Sequence, residues 1–188
     1  DRITDYSKAG GDKIQLLDVP DFGADAALDV PNLDDVLGFE ISGGEYKATL
    51  SSGAAGTIVF TAPSVANNSR ITFEIDNSVL GSVEFDVILG TNSSQTTAGD
   101  LALSNIMYGF AGNDNLYGNT SGHFTGATVG TTDIQYGGDG NDRLRGDANR
   151  LQDTSRGGDD IQYGQGGNDT LYGDGNVLEH SSTGGDDL

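Results

Sequence analysis

Residues 133–145 read DIQYGGDGNDRLR and residues 160–172 read DIQYGQGGNDTLY, so one stretch of the chain returns after 27 positions. An earlier copy, GNDNLY at residues 112–117, precedes its counterpart by 28 positions. The aspartates at positions 133, 142, 160, 169 and 187 are separated alternately by one and by two nonapeptides, so that they all keep one phase. Self-similarity at a fixed period indicates a repeat architecture in which each unit packs on its neighbours.

Each nonapeptide divides into a glycine-rich turn of six residues and a strand of three. Glycine permits positive φ and close approach of carbonyl groups, and the aspartate directs its carboxylate towards those carbonyls. Oxygen ligands of this kind suit Ca²⁺, which takes six to eight at roughly 2.3–2.6 Å, better than Mg²⁺, which requires a tighter octahedron. The sequence therefore predicts several Ca²⁺ ions, held by Gly109, Gly112, Asp114, Asp133, Gly138, Gly140, Asp142, Gly157, Gly158, Asp160, Gly166, Gly167, Asp169, Gly184, Gly185 and Asp187.

The composition limits the remaining possibilities. The 188 residues include 29 acidic and 9 basic side chains, a net charge of −20, 30 glycines and no cysteine. Such a charge disfavours nucleic acid and anionic membrane surfaces, which both attract Lys and Arg. No apolar run approaches the roughly 20 residues of a membrane span, so we expect no membrane insertion. Without cysteine, disulfides, thiolate metal sites and thiol catalysis are excluded.

The second half resembles the hemolysin-type calcium-binding repeats of secreted RTX proteins, over residues 107–188. The resemblance implies a parallel β-roll in which two nonapeptides form one turn of the coil and Ca²⁺ lies between stacked turns. The first half, residues 1–106, resembles the segment that caps a β-roll in secreted RTX proteases and alginate epimerases. The matching stretches are DRITDY at 1–6, GDKIQL at 11–16, VEFDVIL at 83–89 and TAGDL at 97–101. We therefore expect an all-β chain, with a β-rich cap or spacer over 1–106 and a calcium-binding roll over 107–188.

Alternation of apolar and polar residues predicts strands in the first half. Ile71, Phe73 and Ile75 form one such pattern, and residues 83–89 form another. The apolar stretch at 57–60 is typical of a buried strand. Residues 18–37 are acidic and broken by two prolines, which predicts a loop with one short helix at 33–37. The acidic residues between 18 and 35 favour a solvated loop over a second calcium site.

Several positions depart from the repeat. Gln135 and Gln162 take inward positions where Leu, Ile or Val is expected, and each leaves an amide to satisfy in a thin core. Leu151 and Leu178 replace the aspartate of every third nonapeptide. We expect the turns at 149–155 and 176–182 to be weak metal binders or outward loops, and residues 119–131 break the pattern similarly.

A turn of two nonapeptides also predicts which aspartates share a metal. Asp142 would face Asp160 on one edge of the roll, and Asp169 would face Asp187 on the other. Asp133 would face the turn that carries Leu151 and offer only one carboxylate. The best sites would then lie between 138–142 and 157–160, and between 166–169 and 184–187.

The tyrosines and histidines have simpler interpretations. Tyr117, Tyr136, Tyr163 and Tyr172 each precede a glycine at the end of a strand. This position favours a packing ladder on the outer face of the roll over a sugar-binding surface. His123 and His180 lie in degenerate turns and are expected to be surface residues, not ligands.

No catalytic motif is present: the sequence lacks His-Glu-x-x-His, Gly-x-Ser-x-Gly and a phosphate-binding loop. We therefore expect no enzyme. The preferred function is a structural or adhesive module of a large secreted RTX protein, such as an adhesin, a surface-layer or a matrix component. It would be exported by a type I system, fold on Ca²⁺ outside the cell, and contact neighbouring repeats of the same long chain or assembly. The alternative is an accessory calcium-dependent secretion and folding module of an exported protease, lipase or epimerase. The chain is expected to be an excerpt of a longer tandem protein, whose flanking sequence would separate the two.

Overall fold

The computed structural model describes residues 85–188 in full. Before residue 85 it describes the backbone of the strands at 2–3, 14–17, 37–42, 45–50, 56–60, 69–77 and 81–84. These residues form an all-β structure with parallel sheets, and no helix occurs among them. Accordingly, the described part of the chain contains no helix that is long and apolar enough to span a membrane. The predicted acidic loop lies outside the described residues, as does all of the predicted helix except Leu37, which begins a strand.

Seventeen strands run through the described residues. The first seven are β1 (Arg2–Ile3), β2 (Ile14–Leu17), β3 (Leu37–Ser42), β4 (Glu45–Leu50), β5 (Gly56–Phe60), β6 (Ser69–Asn77) and β7 (Gly81–Thr91). The next four are β8 (Thr96–Ala98), β9 (Ser104–Phe110), β10 (Asn115–Tyr117) and β11 (Thr120–Phe124). The last six are β12 (Ile134–Asp139), β13 (Arg143–Arg145), β14 (Ala148–Leu151), β15 (Ile161–Gly166), β16 (Thr170–Tyr172) and β17 (Gly175–Leu178).

The strands predicted in the first half are present. The alternating stretches form β6 and β7, which pair antiparallel, and the apolar stretch at 57–60 lies in β5. Strand β5 belongs to a sheet of order β1-β5-β4-β3, whereas β6 and β7 belong to a sheet of order β15-β12-β9-β7-β6-β2. This six-stranded sheet runs through both halves of the chain, and the predicted boundary at 106/107 falls inside β9.

The repeats form stacked coils with three sides. Strands β9, β12 and β15 pair in parallel on one side and strands β10, β13 and β16 on a second. Strands β11, β14 and β17 form the third side. Leu116, Leu144 and Leu171 stand in register on the second side. One coil of the repeat region therefore contains three nonapeptides, and the first coil has one inserted position.

The predicted turn of two nonapeptides is wrong for this region. The third nonapeptide is not an outward loop; it forms the third side, where Phe124, Ala148 and Leu151 make a separate buried apolar cluster. Burying a large apolar side chain contributes about 1.5–3 kcal/mol, so this cluster favours an ordered third strand over a solvated loop. Among the described residues, a shorter coil occurs before the repeats. Val87 pairs with Ile106 and Thr97 with Leu116, which gives a coil with only two sides.

The main core lies between the first two sides. Ile88, Met107, Leu116 and Leu144 form one buried cluster there. The two inward glutamines satisfy one another, because the Gln162 amide donates to Gln135 Oε1 (2.9 Å) and to the Tyr172 carbonyl (2.9 Å). The Gln135 amide in turn donates to the Arg145 carbonyl (2.8 Å). The amides therefore stack along the coils without disturbing the strand register.

Aromatic side chains also stack from coil to coil. The ring of Tyr136 lies between those of Tyr108 and Tyr163, with centroid distances of 4.8 and 4.9 Å and nearly parallel planes. On the second side, the guanidinium of Arg145 lies 4.7 Å from the ring of Tyr117 and 5.3 Å from that of Tyr172. The tyrosines thus form the packing ladders that their position before glycine predicts.

Candidate metal centre

The first corner of the coil joins the first side to the second, at residues 112–114, 140–142 and 167–169. Its glycines have positive φ, at 114° for Gly112, 148° for Gly140 and 126° for Gly167. A Cβ on Gly140 would overlap the carbonyl oxygen of Gly112, and a Cβ on Gly167 would overlap that of Gly140. The backbones of successive coils therefore approach so closely that only glycine fits at these positions.

The aspartates of the first corner are linked by hydrogen bonds between coils. The Asp114 N–H donates to Asp142 Oδ1 (2.8 Å), and the Asp142 N–H donates to Asp169 Oδ1 (2.9 Å). The Gln95 N–H begins the ladder by donating to Asp114 Oδ1 (2.9 Å). One oxygen of each carboxylate thus caps a backbone amide of the preceding coil.

The second oxygen is available for a ligand. Asp114 Oδ2 and Asp142 Oδ2 are buried and find no hydrogen-bond partner among the residues that the structure describes. A Cβ built on Gly109 would lie 2.7 Å from Asp114 Oδ2 and would overlap the carbonyl oxygen of Gly137. A Cβ built on Gly137 would lie 2.6 Å from Asp142 Oδ2 and 2.8 Å from the carbonyl oxygen of Gly164. Carboxylate and carbonyl oxygens thus converge beside glycines, and this donor set fits Ca²⁺.

The electrostatics of the first corner oppose ionisation in the absence of a cation. Burial raises the pKa of Asp114 to about 6, against the hydrogen bond from the Gln95 amide, and the charge of Asp142 adds to the rise. Burial also raises the pKa of Asp142, and the charge of Asp169 contributes. A cation bound here would remove both the desolvation cost and the repulsion between coils.

The second corner joins the third side to the first side of the next coil, at Asp133, Asp160 and Asp187. Its aspartates form the same ladder. The Asp133 N–H donates to Asp160 Oδ1 (2.8 Å) and the Asp160 N–H to Asp187 Oδ1 (3.0 Å). Asp160 Oδ2 is buried and has no partner in the described part of the chain. Burial raises the pKa of Asp160 to about 10, and the charges of Asp133 and Asp147 contribute to the rise.

Two aspartates that sequence reasoning missed lie beside the second corner. Asp147 and Asp174 stand at the start of the third side, and they receive N–H hydrogen bonds from Gly158 (3.0 Å) and Gly185 (2.7 Å). Burial raises the pKa of Asp147 to about 8, against the Gly158 hydrogen bond, and the charges of Asp174 and Asp187 add to the rise. The signal was present in the sequence, since Gly146-Asp147 returns as Gly173-Asp174 three nonapeptides later.

The structure corrects the predicted pairing of the aspartates. Asp142 stacks between Asp114 and Asp169, not against Asp160, and Asp187 stacks on Asp160, not on Asp169. Asp133 faces Asp160, not the Leu151 turn. The reason is the coil length, because the third side places equivalent aspartates three nonapeptides apart, not two.

The predicted glycines fall into the same two groups. Those that lie at the first corner or on the strands entering it are Gly109, Gly112, Gly138, Gly140, Gly166 and Gly167. Gly157, Gly158, Gly184 and Gly185 lie at the second corner, where a Cβ on Gly185 would overlap the Gly158 carbonyl. The structure thus gathers the predicted residues, but into corners other than the predicted pairs.

Histidine takes no part in these corners, since His123 and His180 are both exposed. Within residues 85–188 and the earlier described strands, no three His, Cys, Asp or Glu side chains converge as a metal-binding group. A cation at either corner would therefore rely on one or two carboxylates and on peptide carbonyls. No protein-family model matches the chain, and no curated protein sequence matches it.

Proposed function

We propose that residues 107–188 form a calcium-dependent structural module, a variant of the RTX β-roll in which every third nonapeptide adds a third side. The observation that carries this proposal is the pair of buried oxygens at the first corner, Asp114 Oδ2 and Asp142 Oδ2, which no described residue hydrogen-bonds. Each shares the space beside a glycine with one carbonyl oxygen of the next coil, that of Gly137 or of Gly164. In this proposal Asp114, Asp142 and Asp169 hold Ca²⁺ together with those carbonyls.

The charge balance explains why calcium would control folding. Burying an ionised carboxylate without a partner costs several kcal/mol, and each further coil adds another carboxylate of this kind. Ordering the backbone costs about 1–2 kcal/mol more per residue. The main core between the first two sides is thin, so a cation that binds only the folded corner stabilises the fold directly. The chain would stay unfolded where calcium is scarce and fold where it is plentiful, as outside the cell.

We infer the role within a parent protein from the same features. A rigid solenoid of stacked coils separates its two ends by a defined distance, which suits an adhesin, a surface-layer or a matrix component. The resemblance to secreted RTX repeats supports this proposal, together with export and an extracellular location. The proposal includes no enzymatic activity, and the partners are calcium ions and neighbouring repeats.

The test is a calcium titration of the full chain that starts in calcium-depleted buffer and is monitored by far-UV circular dichroism. We expect strand signal to develop with calcium, and Asp142→Asn to raise the calcium midpoint at least several-fold. Asp139→Asn is the matched control, because Asp139 is an exposed residue of β12 and its substitution removes the same charge. A spectrum that is identical with and without calcium would contradict the proposal, and so would equal midpoints for the two variants.

A further inference from the structure

The first coil of the repeat region contains a fully satisfied aspartate. Asp133 is completely buried, and Oδ1 accepts hydrogen bonds from the backbone N–H (2.7 Å) and the side-chain amide (2.9 Å) of Asn105. The Asn119 amide donates to Oδ2 (2.9 Å), and the Thr131 hydroxyl lies 3.3 Å from both oxygens. Three neutral side chains thus surround this carboxylate with hydrogen-bond donors.

The next coil keeps the carboxylate and loses all three side-chain donors. Asp160 takes the place of Asp133, while Asn105, Asn119 and Thr131 are replaced by Asp133, Asp147 and Gly158. The stacking is direct: the Asn119 N–H donates to the Asp147 carbonyl (2.9 Å), and a Cβ on Gly158 would overlap the Thr131 carbonyl. In the first coil, Asn119 donates a hydrogen bond to Asp133. In the next coil Asp147 takes the position of Asn119, so Asp160 meets a second acceptor in place of a donor.

Both members of the new pair have an unsatisfied oxygen. Asp147 and Asp160 are each 0% exposed. Asp147 Oδ1 and Asp160 Oδ2 lack a hydrogen-bond partner among the described residues. Two buried acceptors without a donor are costly, so this coil lacks a positive charge that would offset them.

We propose that a hard divalent cation, Ca²⁺ in the folded protein, binds between the carboxylates of Asp147 and Asp160. The charge of the ion matches that of the two carboxylates, and oxygen ligands are those that Ca²⁺ prefers. Asp174 and Asp187 repeat the pair in the last coil, where Asp174 is half-buried and Asp187 is exposed. We expect the more buried pair to bind more tightly.

Glycines leave space around this pair. Asp160 Oδ2 lies against Gly146, where a Cβ would overlap it, and the Gly173 carbonyl oxygen is close to the same position. The unsatisfied Asp147 Oδ1 lies against Gly130, where a Cβ would likewise overlap it. The carboxylates and the nearby carbonyl thus lie where no side chain competes with an ion.

The ion would link the two ends of the segment that forms the third side. Asp147 immediately precedes β14 at the start of this segment. Gly158, whose N–H donates to Asp147, immediately follows its end. An ion on Asp147 and Asp160 would thus join the two ends of the segment 148–157. This inference goes beyond the proposed first-corner sites, because it involves a different corner and a residue, Asp147, that no first-corner site uses.

Two reciprocal substitutions test the inference by counting bound Ca²⁺ in the full chain, with native mass spectrometry and isothermal titration. Asp147→Asn restores the donor found in the preceding coil. We expect it to bind one Ca²⁺ fewer than the wild type and to develop its strand signal at a lower calcium concentration than the wild type. Asn119→Asp creates the same acceptor pair with Asp133, and we expect one additional Ca²⁺ and a higher calcium midpoint for folding.

The outcomes also separate this inference from the first-corner sites. An unchanged Ca²⁺ count in both variants, while Asp142→Asn still loses calcium, would overturn the second-corner ion and leave the proposed function standing. A wild type that binds no Ca²⁺ would overturn both, and a proton shared by the carboxylates would then explain the pair. Failure of Asp147→Asn to fold at saturating calcium would also contradict the inference, because the amide is already accommodated in the preceding coil.

Discussion

The backbone N–H of Asp114 donates a 2.8 Å hydrogen bond to Oδ1 of Asp142, which lies one coil further along the chain. The side chain of one coil therefore caps the backbone of the coil before it. Such contacts link neighbouring coils only, so stability propagates along the stack as it does in other repeat proteins. An ion bound to the remaining oxygen would act on the same contact between coils.

Cation selectivity follows from this donor set. We expect Mg²⁺ at the calcium concentration that completes folding to leave most of the strand signal undeveloped. Mg²⁺ requires near-octahedral ligands at roughly 2.0–2.1 Å and gives up its waters reluctantly, whereas the carbonyls of Gly137 and Gly164 belong to the backbones of the paired strands β12 and β15. Parallel titrations followed by circular dichroism measure the difference, and equal recovery with both ions would count against the donor set.

The metal-free protein is expected to lose stability as pH rises. Burial raises the pKa of Asp114 to about 6 and that of Asp147 to about 8, above the value of about 3.9 in unfolded chains. The folded state therefore binds more protons than the unfolded state between about pH 4 and pH 8, and stability is lost as pH rises through the folded pKa values. The strand signal in circular dichroism at pH 5 and at pH 8 in calcium-depleted buffer measures this loss as a change in the folded fraction.

Saturating calcium is expected to reverse this pH dependence, since the ion binds the ionised carboxylates and competes with protons. Asp147→Asn provides the control, because it removes one raised pKa and should flatten the metal-free slope. A metal-free protein that is more stable at pH 8 than at pH 5 would show that these carboxylates are not buried as described.

The core between the first two sides predicts a graded effect of truncation. Leu144 is 0% exposed and Leu171, its neighbour in register, is 44% exposed. Leu144→Ala should cost about 2–5 kcal/mol of unfolding free energy at saturating calcium, and Leu171→Ala distinctly less. Chemical denaturation of both variants measures the difference. Equal losses would mean that the last coil is covered in solution.

The close approach of coils at the first corner predicts intolerance of any side chain. Gly140→Ala would place a methyl group on the Gly112 carbonyl at a φ of 148°, so we expect loss of the calcium-dependent fold or a calcium midpoint raised at least tenfold. Gly122→Ala is the matched control in strand β11, where the nearest atom is Thr120 Oγ1 at 3.4 Å. Wild-type behaviour of Gly140→Ala would contradict the stacking of these corners.

Part of this fold could be predicted from the sequence. The phase of Asp114, Asp142 and Asp169 and the glycines around them indicated stacked corners, and alternation indicated β6 and β7. The coil length could not be predicted, because a nonapeptide period is compatible with two or three nonapeptides in a coil. The choice depends on whether Phe124 and Leu151 find an apolar partner, which is a tertiary property.

Asp147 was missed for a related reason. Its counterpart in the preceding coil is Asn119, so only two of the three coils have an aspartate at this position. The pair Asp147 and Asp174 therefore does not stand out among the many aspartates of the sequence. The replacement of Asn119 by Asp147 exchanges a hydrogen-bond donor for an acceptor. This effect is apparent only from the structure, in which Asn119 donates to Asp133. The partners of the inward glutamines were equally hidden, since groups such as the Arg145 carbonyl belong to other sides of the coil.

The most direct test of the central claim is anomalous diffraction from crystals of the calcium-loaded chain, recorded at a wavelength where calcium scatters anomalously. The claim predicts a peak at the first corner, roughly 2.3–2.6 Å from Asp142 Oδ2, with peptide carbonyls completing the shell. Well-ordered coils without any anomalous peak at Asp114, Asp142 or Asp169 would contradict it.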